Sequence, residues 1–114
     1  MAQNNVNNHS FRFIQDGISN ILSKTVAGKA RAILFGSRAR GDAGNNSDWD
    51  ILILISKEKV TLQDIDAILY PIREFGWDIN EIINPILFTE QEWQAKAFTP
   101  FFKNVTNEGI YLCN

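Results

Sequence analysis

One cysteine, Cys113, and one histidine, His9, are all that the 114 residues hold of the two side chains that most often bind zinc and similar metals. No second histidine or cysteine is placed to complete a site with His9, and a lone thiol cannot close an internal disulfide. A reducing compartment, the cytoplasm, is the expected setting. No run approaches the ~20 apolar residues of a membrane span. The opening "MAQNNVNNHS" has neither a basic start nor an apolar core, so no secretory signal is expected. Residues 1–10 read as a polar tail before a single domain, 11–114. A surplus of positive charge is missing too: 11 Lys and Arg face 13 Asp and Glu, a net charge of −2. That balance gives no general attraction for nucleic acid or a membrane surface, so any anion must be held locally.

Apolar residues make up 45% of the chain and charged residues 21%, the balance of a folded globular domain. Phe11, Ile14, Ile18, Ile21 and Leu22 fall on one helical face, predicting a helix over 11–24. "RAILF" (31–35) reads as a strand entering Gly36, and "DWDILILIS" (48–56) as a second. The continuous apolar run of the second predicts burial on both faces and a central place. Thr61 and Asp64 resemble a capping box opening a helix with the stripe Leu62, Ile65, Leu69 and Ile72; Pro71 should kink it and Gly76 should stop it. "INEIINPILF" (79–88) reads as a third strand, with Pro85 at an edge or a bulge. Thr89 with Glu92 opens another helix, and Thr99-Pro100 a last one ending at Gly109. Trp49, Trp77, Trp93 and the pair Phe101-Phe102 read as core. The fold class is α/β (α+β): a small mixed β-sheet with packed helices, in the order α-β-α-β-α-β-α-α.

Chemistry concentrates in "LFGSRARGDAGNNSDWDILILI", residues 34–55. Asp48 and Asp50 stand at positions i and i+2 of a strand, so they share a face, within about 7 Å of each other. Two like charges so close repel unless a cation lies between them. A hard divalent ion such as Mg²⁺ takes one or two carboxylates and fills its shell with waters and phosphate oxygens. Before them, a strand runs into Gly36-Ser37. Glycine lets a phosphate approach the backbone, and N–H groups at a helix start suit an anion. Ser37 adds a hydroxyl, and Arg38 and Arg40 add charge for phosphate oxygens. Arg40 is alternatively a partner for a carboxylate of the loop.

This stretch closely resembles the signature of the DNA polymerase beta-like nucleotidyltransferases, and more narrowly the minimal single-domain members of bacteria and archaea. The resemblance is sharp over Ile33–Ile55 and looser beyond. It implies the nucleotidyltransferase fold, with Gly36 and Ser37 at the nucleotide's phosphates and Asp48 and Asp50 as catalytic ligands of two Mg²⁺ ions. ATP or another NTP would be the substrate. Family members usually carry a third carboxylate about five residues before the Ser or Thr that caps the next helix. Counting back from Thr89 gives Asn84, which offers no charge and no base. Strand parity puts Asp78 on Asn84's face, though about 20 Å away, and Glu81 on the other face.

The function expected is Mg²⁺-dependent transfer of AMP from ATP to an acceptor hydroxyl. At this size the acceptor would be recognised by a partner or a second copy. The resemblance implies a HEPN-type helical partner in a toxin–antitoxin pair, the acceptor being a tyrosine of that partner. The alternative is a non-catalytic nucleotide-binding module that masks a partner, for which Asn84 argues. A nucleic-acid polymerase is disfavoured by the missing basic groove.

Overall fold

Seven residues, Trp49–Ile55, form β2, and all but Asp50 are buried. A strand sealed on both faces must lie inside a sheet with layers above and below it. The computed structural model describes residues 10–25, 29–42, 44 and 47–113. Most of the polar tail, including His9, and Ala43, Asn45 and Asn46 of the central loop lie outside the described residues. The sheet has four strands in the order β3-β2-β1-β4, where β1 is Ala30–Phe35, β3 is Ile83–Thr89 and β4 is Ile110–Cys113. β2 runs antiparallel to β1 and parallel to β3, and β4 pairs antiparallel with β1. Pro85 thus sits on an edge strand, where its missing N–H breaks no central ladder.

Parity along β2 builds two cores. Trp49, Ile51, Ile53 and Ile55 face a layer holding Ile14, Ile18 and Leu22 of α1 (Phe11–Thr25) together with Ile68 and Ile72. Leu52 and Leu54 face the other way, onto Ile33, Trp93 and Val105. That second layer comes from α5 (Glu90–Gln94) and α6 (Pro100–Glu108), with the Trp93 ring tilted against Phe102 at 4.7 Å and edge-on at 5.6 Å to Phe101. A short α2, Ser37–Arg40, links β1 to the loop before β2. α3 (Leu62–Asp64), a π-turn (Ile65–Leu69) and α4 (Tyr70–Asp78) carry the chain from β2 to β3. No helix of the described residues is long and apolar enough to cross a membrane.

The caps follow local chemistry. Thr61 and Asp64, and Thr89 and Glu92, exchange hydrogen bonds reciprocally, and Thr99 Oγ1 accepts from the Phe102 N–H at 3.1 Å. Five expectations need correction. β4 was absent from the pattern, since four residues carry too little alternation to stand out from a tail. The helix meant to stop at Gly76 runs to Asp78, and Asn80, at φ 61°, takes the left-handed position that ends it. The Asn80 N–H donates to Trp77 O and the Glu81 N–H to Gly76 O, so residues 79–82 close a helix and the strand begins only at Ile83. The wider π-turn accommodates Pro71, which cannot donate to a carbonyl four residues back, and it rotates the apolar stripe: Ile68 and Ile72 are buried while Leu62 is 80% exposed. Trp77, read as core, lies 64% exposed on α4. At the far end, burial pushes the Cys113 thiol above its usual range, which keeps it protonated and unreactive.

Burial works against ionisation of Asp64, but hydrogen bonds from Lys57 Nζ, the Thr61 N–H and Thr61 Oγ1 outweigh it and hold the carboxyl below its ordinary value. A carboxyl depressed in the folded state stabilises above its unfolded value of about 3.9, and that contribution fades as pH falls through the lower folded value. Asp64→Asn should therefore be less stable than wild type by a constant amount above about pH 5, and the two denaturation curves should converge below about pH 4. A difference independent of pH down to pH 2 would contradict the assignment.

Candidate active site

Asp50 shares a face of β2 with Leu52 and Leu54, and Asp48 just precedes the strand. Their carboxylates converge: Asn84 Nδ2 donates to Asp48 Oδ2 at 2.8 Å and to Asp50 Oδ1 at 3.3 Å. Asn84 reaches them because β3 pairs with β2 in the register that sets it beside Asp50. On the other side Asp50 pairs with Phe35, the last residue of β1, so the next residue, Gly36, comes under its carboxylate. A Cβ on Gly36 would overlap Asp50 Oδ2, and Gly36 holds φ 78°, a conformation left to glycine. Ser37 then opens α2, where the first N–H groups of a helix have no acceptor within it. The Gly36-Ser37 turn, both aspartates and Asn84 thus form one cluster at the end of the sheet.

The remaining candidates lie elsewhere. Arg38 turns away from solvent: its Nε and Nη2 donate to the Ser47 carbonyl at 3.1 and 2.8 Å, its guanidinium lies over the Trp49 ring at 4.3 Å, and Nη2 is 3.8 Å from Glu81 Oε1. Its side chain is 10% exposed, a placement that suits holding the backbone more than meeting a phosphate. Arg40 stays outside, where the hydrogen bonds it donates to Asp42 first, and then to Glu108, raise the pKa of its guanidinium above the usual value. Glu81 is buried on the opposite side of the strand from the aspartates and accepts the Trp49 indole N–H at 3.1 Å, so it does not reach their face. Asp78 ends α4 and belongs to no strand. Among the third-carboxylate candidates, only Asn84 stands at the cluster. A groove of about 280 Å³ opens beside Gly36, lined by Phe35, Arg40, Phe101, Asn104 and Glu108. Sequence reasoning missed two participants, the Ser47 carbonyl and the Trp49 indole, since neither carries a chemistry that a spacing rule would single out.

Residues 16–105 match the model of the nucleotidyltransferase domain family. The chain belongs to that family. It is similar to two curated proteins of Methanocaldococcus jannaschii, each named "Putative protein adenylyltransferase". One is 36% identical over 80 residues, covering 70% of this chain and 75% of the relative. The other is 32% identical over 99 residues, covering 87% and 93%. Two solved structures share the fold. A toxin–antitoxin crystallised with AMP-PNP superposes with a TM-score of 0.60 at 18% identity, over 86% of this chain and 71% of that one. A "putative nucleotidyltransferase" from Sulfolobus solfataricus does so at 0.59 and 20%, over 88% and 77%. A nucleotidyltransferase domain with this fold is a transferase, and its cluster at the strand end is the candidate site for nucleotide transfer.

Backbone conformation and the contact with Asp50 both weigh against a side chain at Gly36. Gly41 also has positive φ, 85°, but nothing lies within 4 Å of where its Cβ would stand. Gly41→Ala should meet left-handed strain alone, about 1–2 kcal/mol, while Gly36→Ala meets the costlier backbone at φ 78° and ψ −159° and also displaces Asp50, and should lose about 1–3 kcal/mol more. Equal falls of the melting temperature in the two variants would show that Asp50 does not press on Gly36.

Proposed function

We propose that this nucleotidyltransferase domain transfers AMP from ATP to a side-chain hydroxyl of a partner protein in the cytoplasm, with Mg²⁺ held by Asp48 and Asp50. The observation that carries the reading is the convergence of two carboxylates on one amide, directly beside Gly36-Ser37. The donor set suits a small hard cation, since Mg²⁺ binds through one or two carboxylates and leaves the rest of its shell to waters and phosphates. The names of the two Methanocaldococcus jannaschii relatives, as protein adenylyltransferases, support AMP and a protein acceptor. The AMP-PNP and the toxin–antitoxin pairing named for one neighbour support ATP and a small partner protein, and the signature's resemblance points to a HEPN-type helical one.

In this reading Asp48 and Asp50 hold the metal, and the Gly36-Ser37 turn receives phosphate oxygens on its N–H groups and the Ser37 hydroxyl. The groove beside Gly36 takes the nucleoside. When bound, Mg²⁺ neutralises phosphate charge and favours ionisation of the acceptor hydroxyl. The acceptor oxygen forms a bond to the α-phosphorus, the bond from that phosphorus to the oxygen bridging to the β-phosphate breaks, and pyrophosphate leaves. The hydroxyl proton passes to a site carboxylate or to water. Asn84 cannot take it.

The test is the full chain incubated with its co-purified neighbour, labelled ATP and Mg²⁺. Label should appear on the partner's hydroxyl, and Asp48→Asn or Asp50→Asn should abolish both transfer and Mg²⁺-dependent ATP binding. Either change should leave the melting temperature equal or higher, because a repelling pair is relieved. Undiminished Mg²⁺-dependent binding in the double variant would remove the metal role.

Asn84 favours a slow transferase, or nucleotide binding without transfer, and one substitution separates these. Asn84→Asp replaces a donor touching two carboxylates with a third negative charge, so the metal-free variant should melt below wild type. Added Mg²⁺ should raise its melting temperature more than that of wild type. Transfer should gain ~10²–10⁴-fold if the missing base alone limits turnover. Unchanged labelling, with Mg²⁺ stabilising the variant as described, would favour the binding module.

A further inference from the structure

We infer that Arg38 and Glu81 are positioning residues that aim Asp48 and Asp50 from the opposite face of the strand, an assignment that rests on the proposed metal role of the two aspartates. The geometry is a clamp on both neighbours of Asp48. Before it, the Ser47 carbonyl accepts two hydrogen bonds from Arg38, 3.1 Å from Nε and 2.8 Å from Nη2. After it, the Trp49 indole is covered by the same guanidinium at 4.3 Å and donates to Glu81 Oε1 at 3.1 Å. Arg38 and Glu81 approach to 3.8 Å, their side chains only 10% and 4% exposed.

The clamp is anchored at each end. Arg38 follows Gly36-Ser37 directly, so the guanidinium ties the proposed phosphate turn to the strand end. Glu81 is fixed through its own N–H, which donates to Gly76 O at 2.8 Å where α4 ends, and the Trp49 N–H donates to Ile82 O at 2.9 Å. The backbone of Asp48 cannot swing without breaking contacts on both sides. A buried ion pair is a poor device for stability alone, because desolvation offsets its attraction and apolar residues of similar volume serve as well. A planar guanidinium, with several donors fixed in one plane and a face that stacks, is suited to fixing direction. A metal site with few protein ligands depends on such direction, and removing the group that orients a ligand typically costs 10–100-fold in metal affinity.

The test uses two variants of the full chain. Glu81→Gln keeps the size and an oxygen for the indole but removes the charge opposite Arg38. Arg38→Lys keeps the charge but loses the fork and the stacking face. Without metal, both should shift the Trp49 indole resonance and speed amide exchange over residues 47–50, with exchange in the rest of β2 unchanged. With a non-hydrolysable ATP analogue, the Mg²⁺ concentration for half-saturation should rise about 10–100-fold in each, and lysine should not rescue. Ile68→Val, a buried change in the core on the clamp's side of the sheet, should lower the melting temperature while leaving that concentration unchanged. A half-saturation point within about twofold of wild type in both variants, despite a shifted indole, would reduce the clamp to a support of the fold and overturn the inference. If wild type itself shows no Mg²⁺-dependent binding, the functional reading fails on its own. Exchange then decides the clamp: acceleration confined to residues 47–50 supports it, and acceleration spread evenly over the sheet overturns it.

Discussion

Two carboxylates of like charge are held within reach of one amide at the end of a strand that cannot shift. That constraint organises the molecule. From Ile51 to Ile55 no residue of β2 is exposed, so sliding the strand by one residue would exchange the two core faces and carry Asp50 from the Leu52 side to the Ile51 side. Such a slip would leave the side chains buried but set each row against a layer shaped for the other, a packing mismatch of about 1–3 kcal/mol at a misfitted position, and would press the Asp50 carboxylate into the apolar layer beside Ile51. The sheet's hydrophobic layers therefore serve the site by fixing where its charges stand.

The neighbouring strands complete that work through register. β1 ends opposite Asp50, which brings Gly36 under the carboxylate; β3 runs parallel and sets Asn84 alongside. The amide nitrogen of Asn84 donates to both aspartates, a neutral group in the place where the resemblance of the signature implies a third carboxylate. It holds the aspartates together without neutralising them. In the proposed function the site takes a cation yet lacks a base of its own at that position, and the speed of any transfer depends on the difference.

Much of this was legible because it is local. A doubly apolar run requires a central strand, Thr-x-x-Asp and Thr-x-x-Glu require helix starts, and the i, i+2 spacing of Asp48 and Asp50 requires a shared face. Other features were hidden because they depend on residues far apart in the chain. Arg38 stands inside a phosphate-like signature, and only the approach of Glu81 and Trp49 sends its guanidinium inward. The π-turn before Pro71 rotates the apolar stripe by a step that no helical period contains. Asn80 ends α4 two residues beyond the expected glycine, moving Asp78 off the strand and Glu81 beneath it. β4 gains its order from pairing with β1, not from its own four residues.

The most direct measurement is crystallography of the full chain grown with manganese and a non-hydrolysable ATP analogue, using the anomalous signal of the metal. A manganese peak is expected within coordination distance of oxygens of both Asp48 and Asp50, with the analogue's phosphates against the Gly36-Ser37 turn. A nucleotide bound with no metal peak at the two aspartates, or with its phosphates away from Gly36, would contradict it.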